Sequence, residues 1–588
     1  MAALRFLVFF IVALNVTALM PIFPLKDIRA GQRGIGKTVF SGNKIEEFQV
    51  EVLGVLENMG PKQSVILARL SGGPLAQTGV LQGMSGSPVY IDGRLVGAVA
   101  LAFTFAKEPI AGIRPIEDML PLGAPVPKDE HPTAARFHAP DSIQTTSISA
   151  FGAAFGGAGA LADIATPVSF SGFTSGALEH FAPQLRQIGL EPRQGVSSGG
   201  RIPPKLGDPS LLHAGDMITV QLLSGDMSIG ADGTVTAIDG KRIFAFGHHF
   251  LSVGGTELPF ARANVITVLP NLSASFKISS ALEWMGTITE DRSTSVYGEL
   301  GRRAATVPLS VTLHGARHSP FVYNMEMVND RVLSPFIVQM AVYSAMEATE
   351  RTLGMGSFAV HGEIGFDRGV PPLKLDNTYA GDFNVPLQAA LGVSTPLAYA
   401  MGSGFDALKI RSIALTIDAS EHKRIWQVDQ VAVSKRDFRP GDTVELTVTL
   451  AGENGAELLR TVKYPIPVGA SYGPLQFTVA DASSTNLSEY QQLLNAAPKS
   501  PTQMVKFLNS LRPNTNAYVR VSRNDPNFQV QGTDLPNPPP SLGLALAKEQ
   551  GPASGNYLGR GSKIAEIEID TGDAIVTGSK TVQVDVKE

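Results

Sequence analysis

From Gly34 to about Leu122, apolar and polar residues alternate in short runs, as in Phe48-Gln-Val-Glu-Val-Leu and Ser64-Val-Ile-Leu-Ala-Arg, separated by Gly, Pro and Asn. A period of two with such punctuation predicts half-buried strands joined by turns. The alternation fades over 123–165, where a Pro-rich piece gives way to Ala, Gly and Phe; this stretch reads as a linker. Thr166 to Gly172 predicts a strand, and Leu178, Phe181, Leu185 and Ile188 stand at helical spacing within Ser175 to Ile188. A second strand-rich region spans about 216–315, with Asp232-Gly233 and Asp239-Gly240 as expected hairpin turns. Val332 to Thr352 predicts a helix of several turns. Beyond Leu408 the spacing of strands and turns around Phe438 to Leu450 and Val462 to Val468 predicts an immunoglobulin-like β-sandwich, and the tail from Ser483 is mixed.

Composition agrees with this pattern. The chain has 588 residues, too many for one hydrophobic core, and its 60 Gly and 40 Pro suit short segments with many turns. The fold class is therefore mostly β and modular. A net charge of −5, without long blocks of either sign, gives no footprint for phosphate backbones and speaks against nucleic acid as a partner. Residues 1–19, with Arg5, an apolar run from Phe6 to Leu14 and then Val16-Thr-Ala, have the layout of a secretory signal. The expectation is export to a periplasmic or extracellular location, with an uncleaved N-terminal anchor and association with the cell envelope as the alternative. There is no cysteine, which excludes disulfides, thiolate catalysis and cysteine metal sites.

The chemistry centres on Gly83-Met84-Ser85-Gly86-Ser87-Pro88, which lies before the strand-like run Val89 to Ala100. Glycine on both sides of Ser85 permits a tight loop on which backbone N–H groups converge on a developing oxyanion. Ser85 is the candidate nucleophile, Gly83 and Met84 the candidate oxyanion hole, and Ser87 the second choice. A serine needs a base, and the best placed histidine is His248 in Ile243-Phe-Ala-Phe-Gly-His-His-Phe-Leu, with His249 its neighbour and alternative.

The run Thr78 to Val99, through Gly-Met-Ser-Gly-Ser-Pro, resembles the Ser segment of the SpoIVB-type serine peptidases. The stretch Gly233-Thr-Val-Thr through Gly247-His248 is similar to the His segment of the same family. The resemblance implies a trypsin-like double β-barrel, Ser85 as nucleophile, His248 as base and a protein or peptide as substrate. In the family the His segment comes first, so here the order is permuted. The family's Asp falls at Leu70 or Ser71, where no carboxylate stands. Asp291 is therefore the weak candidate for third member, with Glu290 and Asp226 behind it, and a catalytically degenerate scaffold or binding protein is the alternative function.

Three other signals are set aside. Gly31-Gln-Arg-Gly-Ile-Gly-Lys-Thr fits the phosphate-loop pattern, but a strand and a turn follow it rather than a helix, so no nucleotide is expected. The pairs His314/His318 and His361/Glu363 lack the ligand number and context of a metal site. No cofactor is expected. The anticipated layout is a signal at 1–19, the Ser-bearing part at 20–135, a linker and small α/β element at 136–215, the His-bearing part with a helix at 216–400, the sandwich at 401–482 and a mixed region at 483–588.

Overall fold

The computed structural model describes residues 20–103, 106–120, 161–195, 205–315, 320–349, 353–367, 369–495, 498, 500–530, 533–536, 538–549 and 556–588. The expected signal at 1–19, His318 and most of the predicted linker lie outside these residues.

The first strand-rich region forms six strands: β1 (Arg33–Val39), β2 (Ile45–Gly60), β3 (Gln63–Ser71), β4 (Pro88–Ile91), β5 (Arg94–Phe103) and β6 (Ile110–Pro115). They pair antiparallel in the cycle β1-β2-β3-β6-β5-β4, and β4 also pairs β1, so the sheet closes into a barrel. Phe48, Ile66, Leu70, Val89, Val99 and Ile113 fill it. Each such side chain contributes about 1.5–3 kcal/mol when removed from water. The phosphate-loop look-alike is β1 itself; its Gly36 lies under the Phe48 ring, which would be 2.1 Å from an added Cβ.

After the first barrel come β7 (Leu161–Asp163), β8 (Thr166–Ser171), the helix Ser175–Gln187 and β9 (Leu190–Gln194). The predicted α/β element is thus divided, because β7 joins the first sheet while β8 and β9 join the second.

The second region gives β10 (Met217–Gly225), β11 (Ser228–Asp239), β12 (Arg242–Ala245), β13 (Gly254–Leu269), β14 (Phe276–Arg292) and β15 (Ser295–Leu300). Their pairings run β10-β11-β12-β15-β14-β13 and close back on β10. The order, first-second-third-sixth-fifth-fourth, is that of the first barrel. Asp232-Gly233, expected as a turn, lies instead in the middle of β11. Gly233 is required there because the Phe246 ring occupies the space of a Cβ, 2.2 Å away, while Asp232 is buried against Ser279.

The second sheet extends through strands Phe321–Val328 and Thr306–His314 to Ile410–Ser420, Leu353–Phe366 and Leu373–Phe383. Helices Leu333–Thr349 and Val385–Gly402 pack on it, the first apolar on nearly every side and accordingly buried. Ile410–Ser420 pairs with Thr306–His314 and Leu353–Phe366 and stays with this sheet, and the next unit follows it. Its two sheets draw on strands from Ile425–Val433 to Gly473–Ala480 and on the tail strands Asn516–Val530, Asn556–Asp570, Ile575–Thr577 and Ser579–Val586. One shared core, including Val448, Phe477, Val519 and Val584, explains why the C-terminal tail belongs to this unit.

Candidate active site

Ser85 lies in the connection between the third and fourth strands of the first barrel, and His248 lies in the corresponding connection of the second. The sequence of the serine loop forces its shape. Gly83 and Gly86 have φ of 88° and 92°, a region that side chains rarely adopt. A Cβ at Gly86 would stand 2.0 Å from Thr234 O and 2.5 Å from Phe246 N, so only glycine lets the serine loop seat on the second barrel.

The Gly-Thr-x-Thr run on β11 holds that loop. Thr234 and Thr236 are two residues apart and share one face of the strand. Thr234 Oγ1 donates to Gly83 O at 2.9 Å and Thr236 Oγ1 to Gly86 O at 2.8 Å, while Thr234 N donates to Ser85 O at 2.9 Å. With three carbonyls of the loop fixed on β11, Met84 N donates back to Leu81 O at 3.2 Å. The N–H groups of Gly83 and Ser85 have no acceptor among the described residues. Of the three N–H groups, only that of Met84 is thus engaged within the loop.

Ser85 is 0 % and His248 2 % exposed, and neither Ser85 Oγ nor His248 Nε2 has a hydrogen-bond partner among the described residues. Ser87 Oγ is likewise buried and unpartnered. His248 Nδ1 lies 2.6 Å from His249 O. A carbonyl can only accept, so Nδ1 carries the proton and Nε2 presents a lone pair. Burial pushes the His248 imidazole below its ordinary value, with the Asp163 carboxylate pulling the other way. The resulting neutral imidazole is the form able to act as a base.

Asp291 sits at the end of β14 and does not perform the expected orienting role directly. Its Oδ1 accepts from Phe250 N at 2.8 Å and its Oδ2 from Leu251 N at 2.6 Å, so it fixes the chain just after the two histidines. Glu290 pairs with Arg292 and Asp226 accepts from Asn324 N, both outside this network. The carboxylate near the histidines is Asp163, 3.6 Å from His249 Nδ1 and 3.5 Å from Arg114 Nη2. Arg114, almost fully buried, also donates through Nε to Gly247 O at 3.2 Å and through Nη1 to Gln63 Oε1 at 3.0 Å. Neither Arg114 nor Asp163 carries a sequence signal, because each acquires its role only where the two barrels meet.

Beside the serine loop lies a second buried polar group. Lys277 Nζ donates to Thr38 Oγ1 at 2.8 Å, and the Lys277 stem flanks Gly83. Asp232 accepts from Ser279 Oγ at 2.7 Å. Burial lowers the Lys277 ammonium to about 7 and raises the Asp232 carboxyl to about 6, each opposed by the other's charge. Of the other histidines singled out in the sequence, His314 is paired with the exposed Asp418 at 2.6 Å and His361 with the exposed Asp376 at 2.9 Å. No cluster of metal-ligating residues occurs among the described residues.

Ser85 on its glycine-flanked loop and a neutral His248 with an unpartnered Nε2 are thus both buried, and no hydrogen bond joins Ser85 Oγ to His248 Nε2. Residues 11–120 match the family model of the SpoIVB peptidase S55, which places the likeness, at family level, with the SpoIVB-like serine peptidases. The match contains the first barrel and Ser85 and ends before His248. No curated protein and no solved structure matches the chain.

Proposed function

We propose that this protein is an exported serine endopeptidase of the SpoIVB type that cleaves a protein substrate. Ser85 Oγ attacks the peptide carbonyl as His248 Nε2 takes its proton. The oxyanion of the tetrahedral intermediate is received by the N–H groups of Gly83 and Ser85. Collapse returns the proton to the leaving amine, and water then hydrolyses the acyl-enzyme by the same route. The observation that carries this reading is the bond between His248 Nδ1 and His249 O, which leaves Nε2 as the acceptor.

Two six-stranded barrels of identical strand order, with serine and histidine on equivalent loops, support a trypsin-like pair in permuted order. Export and association with the cell envelope rest on the signal-like pattern of residues 1–19. The C-terminal sandwich is read as an immunoglobulin-like module for binding within that environment. A second reading, a binding protein that keeps the barrels without the chemistry, is favoured by one feature: a carbonyl rather than a carboxylate holds His248.

Labelling of the purified protein with a fluorophosphonate separates the two. Label that is lost in both Ser85→Ala and His248→Ala supports the peptidase. A folded wild-type chain that takes no label, even after the site is opened as described below, supports the binding protein.

A further inference from the structure

One edge of β5 carries three things in succession. Its first half pairs with β4 as far as Ala98. The serine loop follows, with Val99 N donating to Ser87 O at 2.9 Å and Gly86 N to Val99 O at 2.8 Å. A register shift between Val99 and Leu101 in the β5–β6 pairing then leaves Ala100 O to accept from Ile164 N at 2.9 Å, on the edge that β7 takes. Beyond it β7 pairs antiparallel, Asp163 opposite Leu101, Ala162 opposite Ala102 and Leu161 opposite Phe103. The chain therefore runs along β5 toward the serine loop and leaves at Ile164, next to the residues that hold Ser85.

The side chains of this short strand are held as well as its backbone. Ile164 is 5 % exposed and shares a core with Met84 and Val99. Asp163 reaches Arg114 and His249. From Ala165 the chain crosses to β8 on the second barrel. Addition of an extended segment to an exposed sheet edge is a general mode of peptide recognition, in which backbone pairing gives affinity and side-chain pockets give selectivity. Here both elements are present beside a buried serine and are filled by the protein's own chain.

We propose that residues 161–164 are a self-inhibitory strand seated on the peptide-binding edge of β5. A substrate competes for this edge as an extended segment with a branched aliphatic residue in the place of Ile164. The inference builds on the peptidase reading but makes its own claim, that β7 and an external peptide exclude each other.

The test uses the full chain in two versions. In a Ser85→Ala background, a fluorescent heptapeptide of residues 160–166 is titrated by anisotropy. An Ala162→Pro change, at a half-exposed position, disrupts β7 by removing an N–H and restricting φ; Asp163→Ala cuts the contacts to Arg114 and His249 without touching the backbone. Either release is expected to tighten peptide binding about tenfold or more, because the intrachain competitor reduces apparent affinity by the fraction of time it is bound. A peptide carrying Ile164→Asp should bind neither version.

In the Ser85 background, the same release variants are expected to speed fluorophosphonate labelling by a similar factor. Unchanged peptide affinity in both folded variants overturns the inference, whatever the labelling shows. Tightened peptide binding with no label in any variant upholds the inference and instead removes the activated serine.

Discussion

Thr234 of the second barrel donates its N–H to Ser85 O at 2.9 Å, and its own carbonyl accepts from Phe246 N at 3.2 Å, two residues before His248. One residue thus ties the serine loop and the histidine loop to a common strand. The relative position of Ser85 and His248 depends on how β11 docks on the first barrel.

Loosening that strand should therefore impair reactivity. Thr234→Val removes the hydrogen bond to Gly83 O and leaves that buried carbonyl without its donor, which should cost about 1–3 kcal/mol in urea denaturation and slow fluorophosphonate labelling. Gly86→Ala should do more, because its Cβ meets Thr234 O and its φ is positive; a loss of several kcal/mol and no label are expected.

The two serines and two histidines should separate cleanly. Ser85→Ala should abolish labelling, whereas Ser87→Ala should retain most of it. His248→Ala should lower the rate by orders of magnitude. His249→Ala should be mild, since the group that holds His248 is the backbone carbonyl of His249 and survives the change. Equal loss in the two histidine variants would show that the His249 ring is needed.

The pH profile distinguishes the two aspartates. With His248 pushed down by burial, the acid limb of the labelling rate should fall below the ordinary imidazole value of about 6.5. Asp163 pulls the imidazole upward, so Asp163→Asn should move the limb to still lower pH. Asp291→Asn should leave the midpoint in place and instead reduce stability by about 1–3 kcal/mol, because its bonds are to the loop backbone. For stability the His248 sign is fixed: the unfolded chain binds the proton more readily, so the contribution is complete above about 6.5 and is lost as pH falls.

The buried Lys277 and Asp232 should give a trough in stability. Between about 3.8 and about 6 the folded state holds a proton on Asp232 that the unfolded chain has released, so stability falls as pH rises. Between about 7 and about 10.5 the folded state has lost the Lys277 proton that the unfolded chain keeps, so stability rises again. Urea midpoints should show the minimum between these windows, and the double variant Lys277→Met/Asp232→Asn should erase it. Lys277→Met alone should move the acid window to higher pH, because the ammonium charge that opposes the rise of the Asp232 carboxyl is gone.

Period-two alternation and turn residues were sufficient to mark both barrel regions as strand-rich, because a strand with one buried face must alternate whatever lies opposite it. The serine loop was legible for a similar reason: Gly83, Ser85 and Gly86 are local backbone requirements written at adjacent positions. The histidine segment could be read too, although the reason for Thr234 and Thr236 before it could not. Their hydroxyls serve carbonyls about 150 residues away in the first barrel.

Asp232-Gly233 was misread because a turn signature and a buried strand position use the same two residues. Only the Phe246 ring and Ser279 distinguish them. The acid near the histidines was not legible at all. Asp163 follows a stretch without periodicity and becomes significant only because β7 returns to the edge of β5, beside Arg114 and His249. Sequence by itself determined the strands and the local geometry of the nucleophile, which depend on neighbours along the chain. The tertiary structure alone decided how Thr234 and Thr236 hold the serine loop and how Arg114 and Asp163 reach Gly247 and His249, because those contacts form only where the two barrels meet.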